Sequence, residues 1–167
     1  LDFNKLVELD LPDTPVFTGA PVGIMQLVIL FTHFFLRFDD KKKELSWTLP
    51  VSKTDPRAHG CTRKWGCTCA ASERACPYCA ARKQAALLTH LFPDRAGDLS
   101  LPLFPTVDGD VVEEAVMIEV VDFLATQTGE PLKTAAGVNR FGKHTFRAMA
   151  AVYFYALGFE LYTLQLL

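Results

Sequence analysis

Residues 141–167, FGKHTFRAMAAVYFYALGFELYTLQLL, carry the pattern on which the fold is decided. From Thr145 to Leu157 the apolar residues Phe146, Ala150, Tyr153, Phe154 and Leu157 recur at three- and four-residue intervals. That spacing predicts an amphipathic helix with one face in a core. Gly158 is placed to end it, because glycine readily takes the left-handed conformation of a helix stop, and a further short helix begins near Glu160. His144 and Arg147 sit at the mouth of the main helix, three residues apart and so on one side. A helix N-terminus offers an anion unsatisfied N–H groups and a favourable dipole. A phosphate there would be gripped bidentately by Arg147, while His144 donated a hydrogen bond or moved a proton. The other reading of the pair is a capping histidine beside a solvated arginine.

Working outward, Met117, Val120, Val121, Leu124 and Ala125 predict a second amphipathic helix over 113–126. Glu113 and Glu114 fall in its first turn, where the dipole favours anions. Residues 127–143 read as a polar loop. Residues 80–92 hold good helix formers and stop at Pro93, and 93–110 form a loop rich in Pro, Gly and Asp. Leu45, Trp47, Leu49 and Val51 alternate with period two, which predicts a strand paired with residues 33–38 through a charged turn. Lys53-Thr54-Asp55-Pro56 reads as the turn leaving that hairpin. The apolar segment 22–38 falls short of the ~20 residues that span a bilayer and contains Gln26, Thr32 and His33, so it reads as a buried helix or strand. No positive region precedes it as in a signal peptide. Residues 1–20 carry Pro12, Pro15 and Gly19 and read as irregular structure.

The chain has 167 residues, half of them hydrophobic, which suits one folded domain and excludes a disordered chain. An apolar run at the last residues and a first residue other than Met suggest truncation at both ends. The net charge of −2 excludes a wholesale basic nucleic-acid binder. Its distribution is uneven. Lys53, Arg57, Arg63, Lys64, Arg74, Arg82 and Lys83 face only Asp55 and Glu73 over 53–83, residues 94–130 are strongly acidic, and 131–167 turns basic again. Two basic islands suit a protein with one anion-facing side, or are ordinary solvated faces.

All five cysteines fall within 57–80. Cys67-x-Cys69 followed by Cys76-x-x-Cys79 has the spacing of four thiolates closing a tetrahedral structural zinc site, with Gly66 and Pro77 helping the turns. Disulfides and free thiols in a loop are the alternatives. Nothing indicates secretion, and a reducing compartment favours metal. Cys61 stands apart as a spare or alternate ligand. Four thiolates leave no open position, so a catalytic metal is not expected.

The Gly-x-His-x-x-Arg segment with its alanine-rich apolar helix, Gly158, Leu161, Leu164, Gln165 and Leu167 resembles the conserved-box segment of tyrosine recombinases, the phage-type integrases and related recombinases of eukaryotic mobile elements. The resemblance covers roughly residues 33–167 and leaves 1–32 unassigned. It implies a mainly α-helical α+β fold: a tyrosine-recombinase-like catalytic core with a small β-hairpin sheet and, over 57–83, a Cys-rich insertion. It also implies that His144 and Arg147 hold the scissile phosphate of double-stranded DNA. Lys53, after the period-two strand, matches the hairpin lysine that protonates the leaving 5′-oxygen. Similar Cys-rich insertions in mobile-element members usually end on His, where this sequence has Cys79. Arg63, Lys64, Arg74, Arg82 and Lys83 of the insertion would then lie along the DNA backbone.

Two family features do not match. Residues 1–36 contain no arginine to serve as the family's first arginine, and Arg37 in the strand is a poor substitute. Tyr153, Tyr155 and Tyr162 lie too early to be the nucleophile. The resemblance further implies a homo-tetramer on DNA, an intracellular setting (the nucleus in a eukaryote, otherwise the cytoplasm or nucleoid) and no membrane partner. Rival readings are a non-catalytic zinc-stabilised DNA-binding remnant and a zinc-knuckle protein-interaction domain.

Overall fold

The computed structural model describes residues 1–33, 37–39, 42–49, 61–70, 74–98 and 100–160. Helices dominate, with one small sheet. In chain order the elements are α1 (Phe3–Val7), α2 (Ile24–His33), β1 (Arg37–Asp39), β2 (Glu44–Leu49), β3 (Cys61–Gly66), α3 (Pro77–Leu91), α4 (Glu114–Gln127) and α5 (Thr145–Ala156).

The apolar segment forms α2, and Ile24, Leu27, Val28, Ile29 and Leu30 are all buried. A helix apolar on nearly every side must be central, and α3 and α5 pack against it. No described helix is long and apolar enough to cross a membrane. Val120, Val121 and Leu124 of α4 and Phe146 and Met149 of α5 complete one core cluster. Phe3, Leu6 and Val7 of α1 join that cluster, and the ring of Phe3 lies 4.4 Å from that of Tyr153. The expectation of irregular structure over 1–20 is therefore corrected at α1. Five residues are too few to show a period, and tertiary burial, with the Asp2 carboxylate accepting from the Asn4 N–H at 3.0 Å, stabilises the turn.

The sheet is antiparallel in the order β1-β2-β3, with Phe38 opposite Leu45 and Trp47 opposite Arg63. The hairpin of β1 and β2 follows the alternation read from sequence. Strand β3 does not, because CTRKWG lacks an apolar face and takes its form from pairing with β2. Within the Cys-rich segment 57–83, Cys61–Gly66 give the sheet its third strand and Pro77 begins α3.

One junction fixes α3 against α2. Gly23, at φ +74, precedes α2, and a Cβ there would overlap Gln84 Oε1. Gln84, fully buried on α3, donates from Nε2 to the carbonyls of Leu103 at 2.7 Å and Val22 at 3.4 Å. Smaller corrections concern helix ends. Helix α3 begins at Pro77 rather than near 80, Glu113 is the N-cap residue of α4, and Leu157 lies 57% exposed beyond α5 instead of in its apolar stripe. Gly158 ends α5 with φ +89 as its position suggests. The short helix near Glu160 falls mostly on 161–167, outside the described residues.

Candidate metal centre and the mouth of the last helix

Four sulfurs converge where β3 meets α3. Cys67 and Cys69 follow the last strand residue, Cys76 is the N-cap residue of α3, and Cys79 is in its first turn. Pro77 at the first helical position locks the backbone for this start, having no N–H to leave unpaired. All four Sγ atoms lie within 4.8 Å of one another. Cys69 and Cys79 are 3.2 Å apart, and Cys67 and Cys76 are 3.7 Å apart. A tetrahedron with metal–sulfur bonds of ~2.3 Å has edges of about 3.8 Å. The donor set and its spacing therefore fit a tetrahedral thiophilic ion with modest relaxation, and all four thiols are free of disulfides.

The local electrostatics suit ligation. Burial alone would raise the Cys76 thiol, but the N–H groups of Cys79 and Thr68, followed by the neighbouring thiols, outweigh it and bring it down to about 6. The Thr68 N–H reaches Cys76 Sγ at 3.4 Å, and the N-terminal end of α3 favours a negative sulfur. Cys69 is pushed up, first by its hydrogen bond with Cys79 and then by those with Cys67 and Cys76. Burial pushes Cys79 up. Cys61, proposed as an alternate ligand, begins β3 opposite Leu49. Five residues of extended strand at ~3.3 Å each put it roughly 17 Å from the end of β3 that leads to Cys67.

The basic residues of this region are largely answered within the chain. Lys64 Nζ lies 3.0 Å from Glu44, Lys83 Nζ 3.2 Å from Asp13, and Arg74 Nη1 3.3 Å from Glu8 and 3.2 Å from the Glu8 carbonyl. The Arg82 guanidinium sits 6.0 Å over the Tyr78 ring. The side chain of Arg63 lies outside the described residues. A cavity of about 340 Å³ opens beside Cys76 and Cys79, walled in part by Met25, Gln26, Arg74 and Lys83.

At the start of α5 the arrangement is open. Gly142 and Thr145 close a turn through the Thr145 N–H to the Gly142 carbonyl at 2.9 Å and the Gly142 N–H to Thr145 Oγ1 at 2.8 Å. This leaves His144 as N-cap residue with no cap hydrogen bond from its side chain, so it is not the capping histidine of the simpler reading. His144 and Arg147 are both exposed, one helical turn apart. Neither shows an ion pair or hydrogen bond from its side chain to a described residue. Lys143 beside them lies 3.9 Å from Glu114, with both side chains exposed. Lys53 lies in the connection between β2 and β3, outside the described residues.

No family model, curated protein or solved structure matches the chain. The geometry therefore brings together the four predicted ligands and the His144–Arg147 pair, as two separate features. The part that sequence reasoning missed is the support beneath α3, where Gln84 fills the place left by Gly23. Its signal, a glycine directly before a helix, has too many other meanings to be decisive.

Proposed function

We propose that this chain is a DNA-binding part of a tyrosine-recombinase catalytic domain, with zinc held by Cys67, Cys69, Cys76 and Cys79. The observation that carries the reading is the exposed His144–Arg147 pair on the first turn of a helix, its side chains unused by the described residues around it. Such a pair is available to a phosphodiester, and phosphoryl transfer relies mainly on positioning and charge stabilisation. The order of elements agrees with the resemblance: a helix, a small antiparallel sheet whose β2–β3 connection carries Lys53, and the His-x-x-Arg helix downstream.

On this reading His144 and Arg147 hold the scissile phosphate of duplex DNA. A tyrosine oxygen attacks phosphorus, the 3′-phosphotyrosyl bond forms, and the departing 5′-oxygen takes its proton from Lys53. Zinc is structural and takes no part in these steps. A second reading has a specific observation behind it. The helix before the sheet carries no arginine, and its residues Ile24, Leu27, Val28, Ile29 and Leu30 are buried in the core. A domain that binds DNA and does not cut it, a remnant of a mobile element, has that composition.

Fluorescence anisotropy with a labelled duplex tests the shared claim. Binding should weaken with salt, and Arg147→Ala should flatten the log–log salt slope by about one charge. A protein without salt-dependent affinity is instead a zinc-knuckle interaction domain. Between the first two readings, a denaturing gel for covalent protein–DNA adduct decides, using the domain joined to a tyrosine-bearing C-terminal segment. Adduct formation supports the recombinase, and binding with no adduct supports the remnant.

A further inference from the structure

Beyond any metal, the four sulfurs are a set of thiols held close to bonding range. Cys69 and Cys79 stand 3.2 Å apart and Cys67 and Cys76 3.7 Å apart, so two pairs use each sulfur once. A disulfide bond is ~2.05 Å long, and either pair closes to it with roughly 1–2 Å of side-chain movement. Each pair joins the segment after β3 to the first turn of α3.

The surroundings make the two members of each pair unequal. Cys76 and Cys79 line the cavity of about 340 Å³ beside the start of α3, whereas Cys67 and Cys69 are not among its lining residues. A water molecule takes ~30 Å³ of liquid, so that space admits an oxidant as small as hydrogen peroxide. Both cavity sulfurs also lie at a helix N-terminus, which favours the anionic sulfur that attacks peroxide. Each pair therefore presents one sulfur to the cavity and holds its partner within reach of it.

We infer that the cluster is an oxidation site for peroxide, in which Cys76 and Cys79 are the attacked thiols and Cys67 and Cys69 resolve them, closing Cys67–Cys76 and Cys69–Cys79. In each pair the cavity sulfur bonds to one peroxide oxygen, the O–O bond breaks, and the other oxygen leaves as water. The partner sulfur then attacks the resulting sulfenic acid, which loses its oxygen as a second water. Two thiols give up two protons and two electrons, and one peroxide is reduced to two waters. The disulfide state and the metal-bound state exclude each other, because both need the same four sulfurs. The pairing depends on neither the metal reading nor the DNA reading above.

Peptide mapping by mass spectrometry under non-reducing conditions tests this on the full chain with Cys61→Ser, which removes the thiol outside the cluster. About two equivalents of hydrogen peroxide should consume all four cluster thiols, lower the mass by about 4 Da and yield both disulfides. Dimedone present at limiting peroxide should trap sulfenic acid on Cys76 and Cys79 at least about tenfold more than on Cys67 and Cys69. A Cys76–Cys79 bond, the ordinary Cys-x-x-Cys pairing, overturns the inference. So does label spread evenly or concentrated on Cys67 or Cys69, and so do thiols that survive excess peroxide. Should the Cys61→Ser chain not fold, the same map on the unsubstituted chain decides. Titration with Co²⁺ keeps the outcomes apart. A chain that forms both disulfides but shows no cobalt–thiolate absorption when reduced keeps this inference and loses the metal reading. One that binds cobalt and forms neither disulfide keeps the metal reading alone.

Discussion

The start of α3 and the start of α5 are both helix N-termini bearing reactive side chains, and they are held in opposite ways. At α3 the sulfurs meet one another, the Thr68 N–H reaches Cys76, and Arg74 and Lys83 nearby are answered by Glu8 and Asp13. At α5 the histidine caps nothing, and His144 and Arg147 face outward without a described side-chain partner. A group whose chemistry is satisfied by its own chain contributes to structure. A group left open at a helix mouth is available to a ligand. The comparison therefore divides the molecule into a region that should respond to changes in stability and one that should respond to changes in binding.

The largest effect should come from the sulfurs. Structural zinc sites are worth ~10–16 kcal/mol in small domains, which leaves each of four ligands about 3 kcal/mol. Cys76→Ser or Cys79→Ser should therefore weaken metal binding by a hundredfold or more in a competition titration against a chromophoric chelator. The pH dependence follows in sign from the thiols. Cys69 and Cys79, pushed up, must give up protons to metal at neutral pH, so affinity falls as pH falls. Below about 6 Cys76 is protonated as well, so the decline should steepen there. A pH-independent affinity would break the assignment of these sulfurs as ligands.

Next comes the junction beneath α3. Gly23→Ala should destabilise the protein by roughly 2–4 kcal/mol in urea melts. The new methyl displaces Gln84 from the Val22 and Leu103 carbonyls, and alanine disfavours φ +74. If its stability matched the parent, Gln84 would not be the strut described here.

Arg147→Ala should do the reverse. We expect about a tenfold loss of duplex affinity, in keeping with one charge-assisted phosphate contact. Stability should change by less than ~0.5 kcal/mol, because the side chain is exposed and unpaired among the described residues. A variant that binds normally but melts early would reverse the division between the two helix mouths. The smallest effect belongs to Lys64→Ala. It removes an exposed cross-strand pair with Glu44 and should cost no more than ~0.5 kcal/mol by the same melts.

Much of this was legible from sequence where the signal is local. The stripe Phe146, Ala150 and Tyr153 gave α5, the Met117–Leu124 spacing gave α4, and alternation at Leu45 and Trp47 gave β2. The spacing of Cys67, Cys69, Cys76 and Cys79 identified the four sulfurs that meet. Each is a pattern complete within a few turns of chain. What the sequence hid depends on partners far along it. Strand β3 exists because β2 pairs with it, α1 because Tyr153 and the rest of the core receive it, and Gln84 is a strut only because Gly23 leaves room across the helix interface.

Sequence alone determined which residues share a helix face and which thiols are close enough to ligate together, because short-range periodicity and chain length fix both. Tertiary structure decided the rest. It attached the sulfurs to two different elements, paired the insertion's cations with carboxylates up to 70 residues away in sequence, and left His144 and Arg147 open. Those outcomes turn on which surfaces meet when the core closes, and no local pattern encodes that.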